Sequence, residues 1–270
     1  MSTALVLAGG GVTGIAWETG VLLGLRENGL DLTSADLIVG TSAGSTVGAQ
    51  LRTGKTLDGM FAAQLDDNHG EISPRIDVEL VTGIFGLMTD GGTHDDEQRR
   101  RIGERALAAS TVDEATRRAV IERRIATDAW SSADLIITAI DAVTGEFVTW
   151  TKDSGISLVD AVASSCAVPG VWPCVTINGR RFYDGGLRNS ANAFLAAGHD
   201  TVFVLAPLTG GASPAVEAEM KDLRSNGATV HFITADAEAV AAMGPNSLDP
   251  RFRRVAAEHG LRQGRATRID

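Results

Sequence analysis

The chain is poor in cysteine, in long apolar runs and in positive charge. Cys166 and Cys174 are the only cysteines among 270 residues, too few for a disulfide framework or a cysteine-based zinc site. No stretch approaches the ~18 apolar residues needed to cross a bilayer. Lysine and arginine number 24 against 34 acidic residues. That acidic balance speaks against a broad phosphate-binding surface, and so against nucleic acid as a partner. It also disfavours electrostatic docking on anionic membranes, while leaving transient hydrophobic contact with lipid open. The opening residues, MSTALVLAGGG, lack a basic stretch and meet glycines after a few apolar positions. They read as a strand entering a turn, unlike a signal peptide, and a cytoplasmic location is the expectation.

What is present is the composition of a packed globular protein, 44% hydrophobic and 21% charged with 31 glycines. Without repeats or a low-complexity linker, residues 1–270 read as a single domain. Ala4–Ala8 is a short apolar run and a buried strand; helical spacing then follows from Gly14 to Asn28. Asp36–Val39 is a second buried strand, followed by a tight turn and a helix to about Arg52. Strand, glycine loop, helix, strand, turn, helix is the opening of a parallel α/β sheet.

Residues 56–132 lack a convincing strand and read as a helical insertion or lid. Their paired arginines (Arg99-Arg100-Arg101, Arg117-Arg118, Arg123-Arg124) fit a solvated helix face with ion pairs, or alternatively a patch for an anionic ligand. Strands return at Leu135–Ile140 and Glu146–Trp150. A helix follows at Leu158–Ser165, then a hairpin turning at Asn178-Gly179, and alternating helices and strands to the end.

Three motifs carry chemistry. Gly9-Gly10-Gly11-Val12-Thr13-Gly14 fits G-x-G-x-x-G between a strand and a helix, a nest of amides for negative charge. A dinucleotide fold would place an acid at the end of the second strand; here that strand runs into Gly40-Thr41-Ser42, and no acid follows until Asp58. Gly40-Thr41-Ser42-Ala43-Gly44 fits G-x-S-x-G, in which tiny neighbours let a serine project from a strained strand-to-helix turn. Both turns follow parallel strands at their C-terminal ends, hence at the same edge of the sheet.

A nucleophilic serine needs a proton acceptor, and none of His69, His94, His199, His231 and His259 has a motif context. Tyr183-Asp184-Gly185-Gly186 does, following a strand. An aspartate in a dry site gains the basicity to serve, although an Asp-Gly-Gly turn is also a common structural device.

Taken in order, Gly9–Gly14, Gly40–Gly44 and Asp184–Gly186 resemble the patatin-like phospholipase family. The stretch Ala163–Gly170 is similar to the one that family carries between its motifs. The resemblance implies a three-layer α/β/α sandwich with a mostly parallel sheet. It also implies Ser42 as nucleophile, Asp184 as base, and an oxyanion hole from Gly9, Gly10 and Gly11, chiefly the last two. Gly14, Gly40, Gly44, Gly185 and Gly186 would support these motifs. One position departs from the pattern: Thr13 stands where many members carry Arg or Lys. The expected activity is acyl-ester hydrolysis of a lipid or other ester through an acyl-enzyme, with no metal or cofactor required. An acyltransferase with the same dyad, a nucleotide-binding regulatory protein and a catalytically silent scaffold are the alternatives. Trp17, Phe85, Leu87 and Met88 could line an acyl channel or simply belong to the core.

Overall fold

In the first strand, alternate residues point to opposite faces of the sheet, and both sets are apolar. Leu5 and Leu7 enter one hydrophobic cluster, while Ala4 and Val6 enter another. A strand buried on both faces belongs in the middle of a sheet covered by helices on each side. The computed structural model describes residues 1–67, 70–73, 76, 78–88, 92–207 and 212–269, without the side chain of Phe85. His69 lies outside the described residues.

In chain order the elements begin with β1 (Thr3–Leu7), α1 (Gly11–Glu27), β2 (Leu37–Gly40), α2 (Ala43–Arg52) and α3 (Leu57–Leu65). They continue with α4 (Val78–Phe85), α5 (Asp96–Ala108), α6 (Glu114–Ile125), β3 (Asp134–Asp141) and β4 (Phe147–Trp150). Then come α7 (Leu158–Ser165), β5 (Val175–Ile177), β6 (Arg180–Asp184), β7 (Thr201–Ala206) and α8 (Pro214–Ser225). The chain ends with β8 (Thr229–Thr234), α9 (Ala237–Met243) and α10 (Arg253–Ala266). Among the described residues no helix is long and apolar enough to cross a membrane.

β1 pairs in parallel with β2 and β7, β2 with β3, and β7 with β8. β4 and β6 both run antiparallel to β3, and β5 closes the hairpin with β6. The Asn178-Gly179 turn has positive φ at both residues, the geometry a two-residue hairpin of this twist requires. The sheet is therefore mostly parallel, in a three-layer α/β/α arrangement. One layer holds α1, α2, α7 and α10, whose apolar faces meet Leu5, Leu7, Ile38 and Ile137. On the other face, Val216, Met220 and Leu223 of α8 meet Val6, Val39 and Val204. A third cluster joins α4 and α5 to the end of β3 through Ile84, Ile102, Ile140 and Tyr183.

The helices between residues 56 and 132 are drawn into these layers. α3 packs on α1 and α10, and α6 packs on α2 and α7. Their N-termini are capped by the side chains of Thr56, Asp95 and Asp113 in α3, α5 and α6. The arginines divide. Arg100, Arg101 and Arg118 form ion pairs with Glu97, Glu104, Glu122, Asp128 and Asp160, whereas Arg99, Arg117 and Arg124 turn inward. α1 begins at Gly11, earlier than the periodicity of its apolar residues indicates, because the Gly14 amide closes a first turn onto the Gly10 carbonyl.

Candidate active site

β2 ends at Gly40, and the chain turns through Thr41 and Ser42 into α2. Ser42 has φ 52°, ψ −112°, a conformation that costs a non-glycine residue of order 1–3 kcal/mol and persists only where its surroundings impose it. Those surroundings are present. The Ser42 amide donates to Ser165 Oγ at 2.9 Å, and its carbonyl accepts from Ser45 Oγ at 2.6 Å and Cys166 Sγ at 3.2 Å. Two residues on, a Cβ at Gly44 would lie 2.0 Å from the Leu7 carbonyl oxygen. The second glycine of the serine motif is thus required by the approach of α2 to β1.

Asp184 closes β6 opposite Ala139 of β3. Its carboxylate accepts from the Gly186 amide at 2.8 Å and interacts with the Ser42 hydroxyl. It is 2% exposed, and burial pushes its pKa up to about 7, the Ser42 hydroxyl and Gly186 amide pulling it only part of the way back. The serine and aspartate turns are also tied from behind. Asn192 Nδ2 donates to Thr41 Oγ1 at 3.1 Å and to the Gly185 carbonyl at 3.3 Å, and Thr41 Oγ1 lies 3.0 Å from Thr138 Oγ1.

Gly9, Gly10 and Gly11 join Ser42 and Asp184 in lining one cavity, but their amides differ. The Gly9 N–H donates to the Ser190 carbonyl at 2.9 Å, so it is already committed and the threefold donor set narrows to Gly10 and Gly11. Those two amides have no acceptor among the described residues. Gly11, at φ +64°, opens α1, whose N-terminus carries partial positive charge. Gly14 sits inside the first turn of α1, and Gly185 and Gly186 open a 3-10 turn after Asp184. Thr13 donates its amide to Ser247 O at 3.1 Å, which binds the glycine loop to the segment before α10.

The cavity encloses about 350 Å³. Ile76, Val81, Val168, Val171, Leu187 and Leu248 form its apolar wall. The residues considered for an acyl channel lie elsewhere: Trp17 is fully buried and donates to Gln263 Oε1, and Leu87 and Met88 pack on the cluster around Ile102. Phe85's side chain is outside the description. No described histidine lines the cavity; His231 stacks on Phe203, and His199 contacts the Ala196 carbonyl. Among the described residues no three His, Cys, Asp or Glu side chains cluster as a metal site. Ser165, Cys166, Asn192 and Leu248 carried no motif. Only the first two lay in a stretch that the sequence singled out.

A strand-to-helix serine turn at the C-terminal edge of a mostly parallel sheet between two helical layers defines an α/β protein of three-layer architecture. A family description, patatin-like phospholipase, matches residues 5–197, and the chain belongs to that family. No curated protein matches it. Similar solved structures include VipD from Legionella pneumophila, at 13% identity and a TM-score of 0.48, covering 97% of this chain and 66% of that one. The type III effector protein ExoU is similar at 15% identity and a TM-score of 0.44, covering 98% of this chain and 52% of ExoU. ExoU of Pseudomonas aeruginosa has also been solved in complex with SpcU; there the identity is 17%, the TM-score 0.38 and the coverage 97% and 52%. The chain thus spans just under two thirds of VipD and about half of ExoU.

Proposed function

We propose that this chain is a serine acyl-ester hydrolase acting on lipid or similar acyl esters through a Ser42–Asp184 dyad. The observation that carries the reading is a carboxyl, 2% exposed, in hydrogen-bond contact with the Ser42 hydroxyl. An ordinary aspartate is too weak a base for a hydroxyl; one held near neutrality by burial is matched to proton transfer at working pH.

In the first step Asp184 accepts the hydroxyl proton as Ser42 Oγ attacks the ester carbonyl. The carbonyl oxygen becomes an oxyanion, which the Gly10 and Gly11 amides bind at the N-terminus of α1. Such donors are worth about 10²–10³ in rate apiece. The tetrahedral species then breaks its bond to the alcohol oxygen, which leaves with the proton from Asp184. Water attacks the acyl-Ser42 ester, Asp184 again taking a proton, and the acid departs as Ser42 is restored. The apolar wall suits an acyl chain, and Val78, 70% exposed beside the cavity residues Ile76 and Val81, would let the mouth contact lipid transiently.

A fluorophosphonate is expected to label Ser42, read as a mass shift on its peptide. Ser42→Ala should lose both the label and hydrolysis of p-nitrophenyl butyrate. Persistent labelling of that variant would overturn the nucleophile assignment. Products formed with added alcohols separate hydrolysis from acyl transfer.

A further inference from the structure

Three cavities adjoin in series. The apolar cavity at the dyad shares Gly11, Ser42, Val168 and Leu248 with a narrow cleft at the serine turn. That cleft in turn shares Val12, Ile15 and Arg124 with a third space, which encloses about 210 Å³. The wall of this chamber is polar, with Thr46, Gln50, Lys55, Glu71, Arg124 and Arg253 in its lining. Chamber and apolar cavity have no lining residue in common, so the cleft is what joins them.

Two buried polar atoms along this series lack a hydrogen-bond partner among the described residues, and they are of opposite kind. Gln50 of α2, 7% exposed, lines the chamber. Its Nε2 donates to the Arg124 carbonyl at 2.9 Å, and Oε1, an acceptor, is left over. Arg117 of α6, 6% exposed, lines the cleft. Its guanidinium lies 3.9 Å from the centre of the Trp172 ring, which orients it, and Nη1, a donor, is left over. Leaving such groups unsatisfied away from water is costly. A molecule that serves both must accept from Arg117 and donate to Gln50. The cleft, at about 20 Å³, has room for a single water and nothing larger.

We infer that the chamber and cleft form a water route to the acyl-enzyme, with Arg117 and Gln50 as the positioning residues that hold water along it. The inference rests on the hydrolase reading and concerns its second half. With an acyl chain against Ile76, Val81 and Val171, water arriving by the mouth has to cross apolar surface, which disfavours it. Water from the chamber instead passes Ser42 into the place vacated by the alcohol, in the cavity that Asp184 lines. There its oxygen bonds to the acyl carbon as Asp184 takes its proton. The bond from that carbon to Ser42 Oγ then breaks, the proton returns to Oγ, and the acid departs. The cleft also selects by size, so an alcohol acceptor has to enter by the mouth.

The test compares wild type with Gln50→Met and Arg117→Met on p-nitrophenyl dodecanoate, with glycerol as a competing acceptor. Dodecanoic acid and its glycerol ester are both measured. The two products come from one acyl-enzyme, so their ratio does not depend on how much of a variant folds. The ratio of glycerol ester to free acid is expected to rise about 3- to 10-fold in each Met variant. The burst of p-nitrophenol that reports acylation should keep its wild-type rate. Arg117→Lys, which keeps a donor, should recover most of the change. So should Gln50→Glu, which keeps an acceptor but loses the donation to the Arg124 carbonyl; a merely structural role of the Gln50 amide would leave it as impaired as Gln50→Met. In a crystal structure of wild type, ordered waters should lie within hydrogen-bond reach of Arg117 Nη1 and Gln50 Oε1. That readout needs no turnover, so its failure is distinct from failure of the hydrolase reading, which fluorophosphonate labelling tests. An unchanged product ratio in both Met variants, or a dry cleft in the crystal, would overturn the inference.

Discussion

Asp184 works against the stability of the fold that positions it. Its folded pKa is about 7, whereas an unfolded aspartate titrates near ~3.9. The folded chain therefore holds a proton that the unfolded chain has released. Stability is unaffected below about pH 4, falls as pH rises toward about 7, and stays reduced above it. Asp184→Asn removes that penalty, and the variant is expected to be inactive yet more stable than wild type at pH 8. Its margin is of order a few kcal/mol and shrinks to nothing near pH 4. Melting curves across that range check it, and a gap that did not change with pH would contradict the burial argument. Glu18 on α1 is a second carboxyl of this kind. It is fully buried, and desolvation pushes its pKa well above the usual range, the Ala8 backbone pulling it only part of the way back.

At the scale of elements, the packing of α1 on α10 decides how firmly the glycine loop is held. A Cβ at Gly20 of α1 would lie 2.2 Å from the Ala257 carbonyl oxygen and 2.7 Å from the Leu261 amide. Backbone cannot give way as the end of a flexible side chain can. Gly20→Val is therefore expected to cost about 1–3 kcal/mol or more. It should lower the melting temperature by several degrees and reduce turnover, because α1 carries the loop amides at its other end. A melting temperature within a degree of wild type would contradict this. α10 and the 246–248 segment lie beyond the family match at residue 197, yet Ser247 receives the Thr13 amide. The glycine loop thus depends on chain outside the matched region.

At the scale of the molecule, much was legible because the decisive features are local. Short apolar strand runs and turn glycines each follow from a few adjacent positions; the bounds of α7 and the Asn178-Gly179 hairpin agree with the structure. The start of α1 was obscured because glycines carry no apolar signal. Long-range pairing was also hidden. Gly9 could not be seen to spend its amide on Ser190, and Asn192 could not be seen to link the Thr41 and Gly185 turns. Nor does a run such as Arg117-Arg118 say which arginine faces water, since on α6 the two point in different directions. Those facts arise when β1, β2, β3 and β6 assemble into one sheet, bringing residues 42 and 184 together across 142 positions of sequence.

The most direct measurement of that convergence is the pH dependence of kcat/KM for a neutral short-chain ester. With Asp184 as base, the rate should rise through a single proton step centred near 7, and Asp184→Asn should lose both the step and nearly all of the activity. A flat profile between about pH 5 and 9, or the same step surviving in Asp184→Asn, would contradict the dyad.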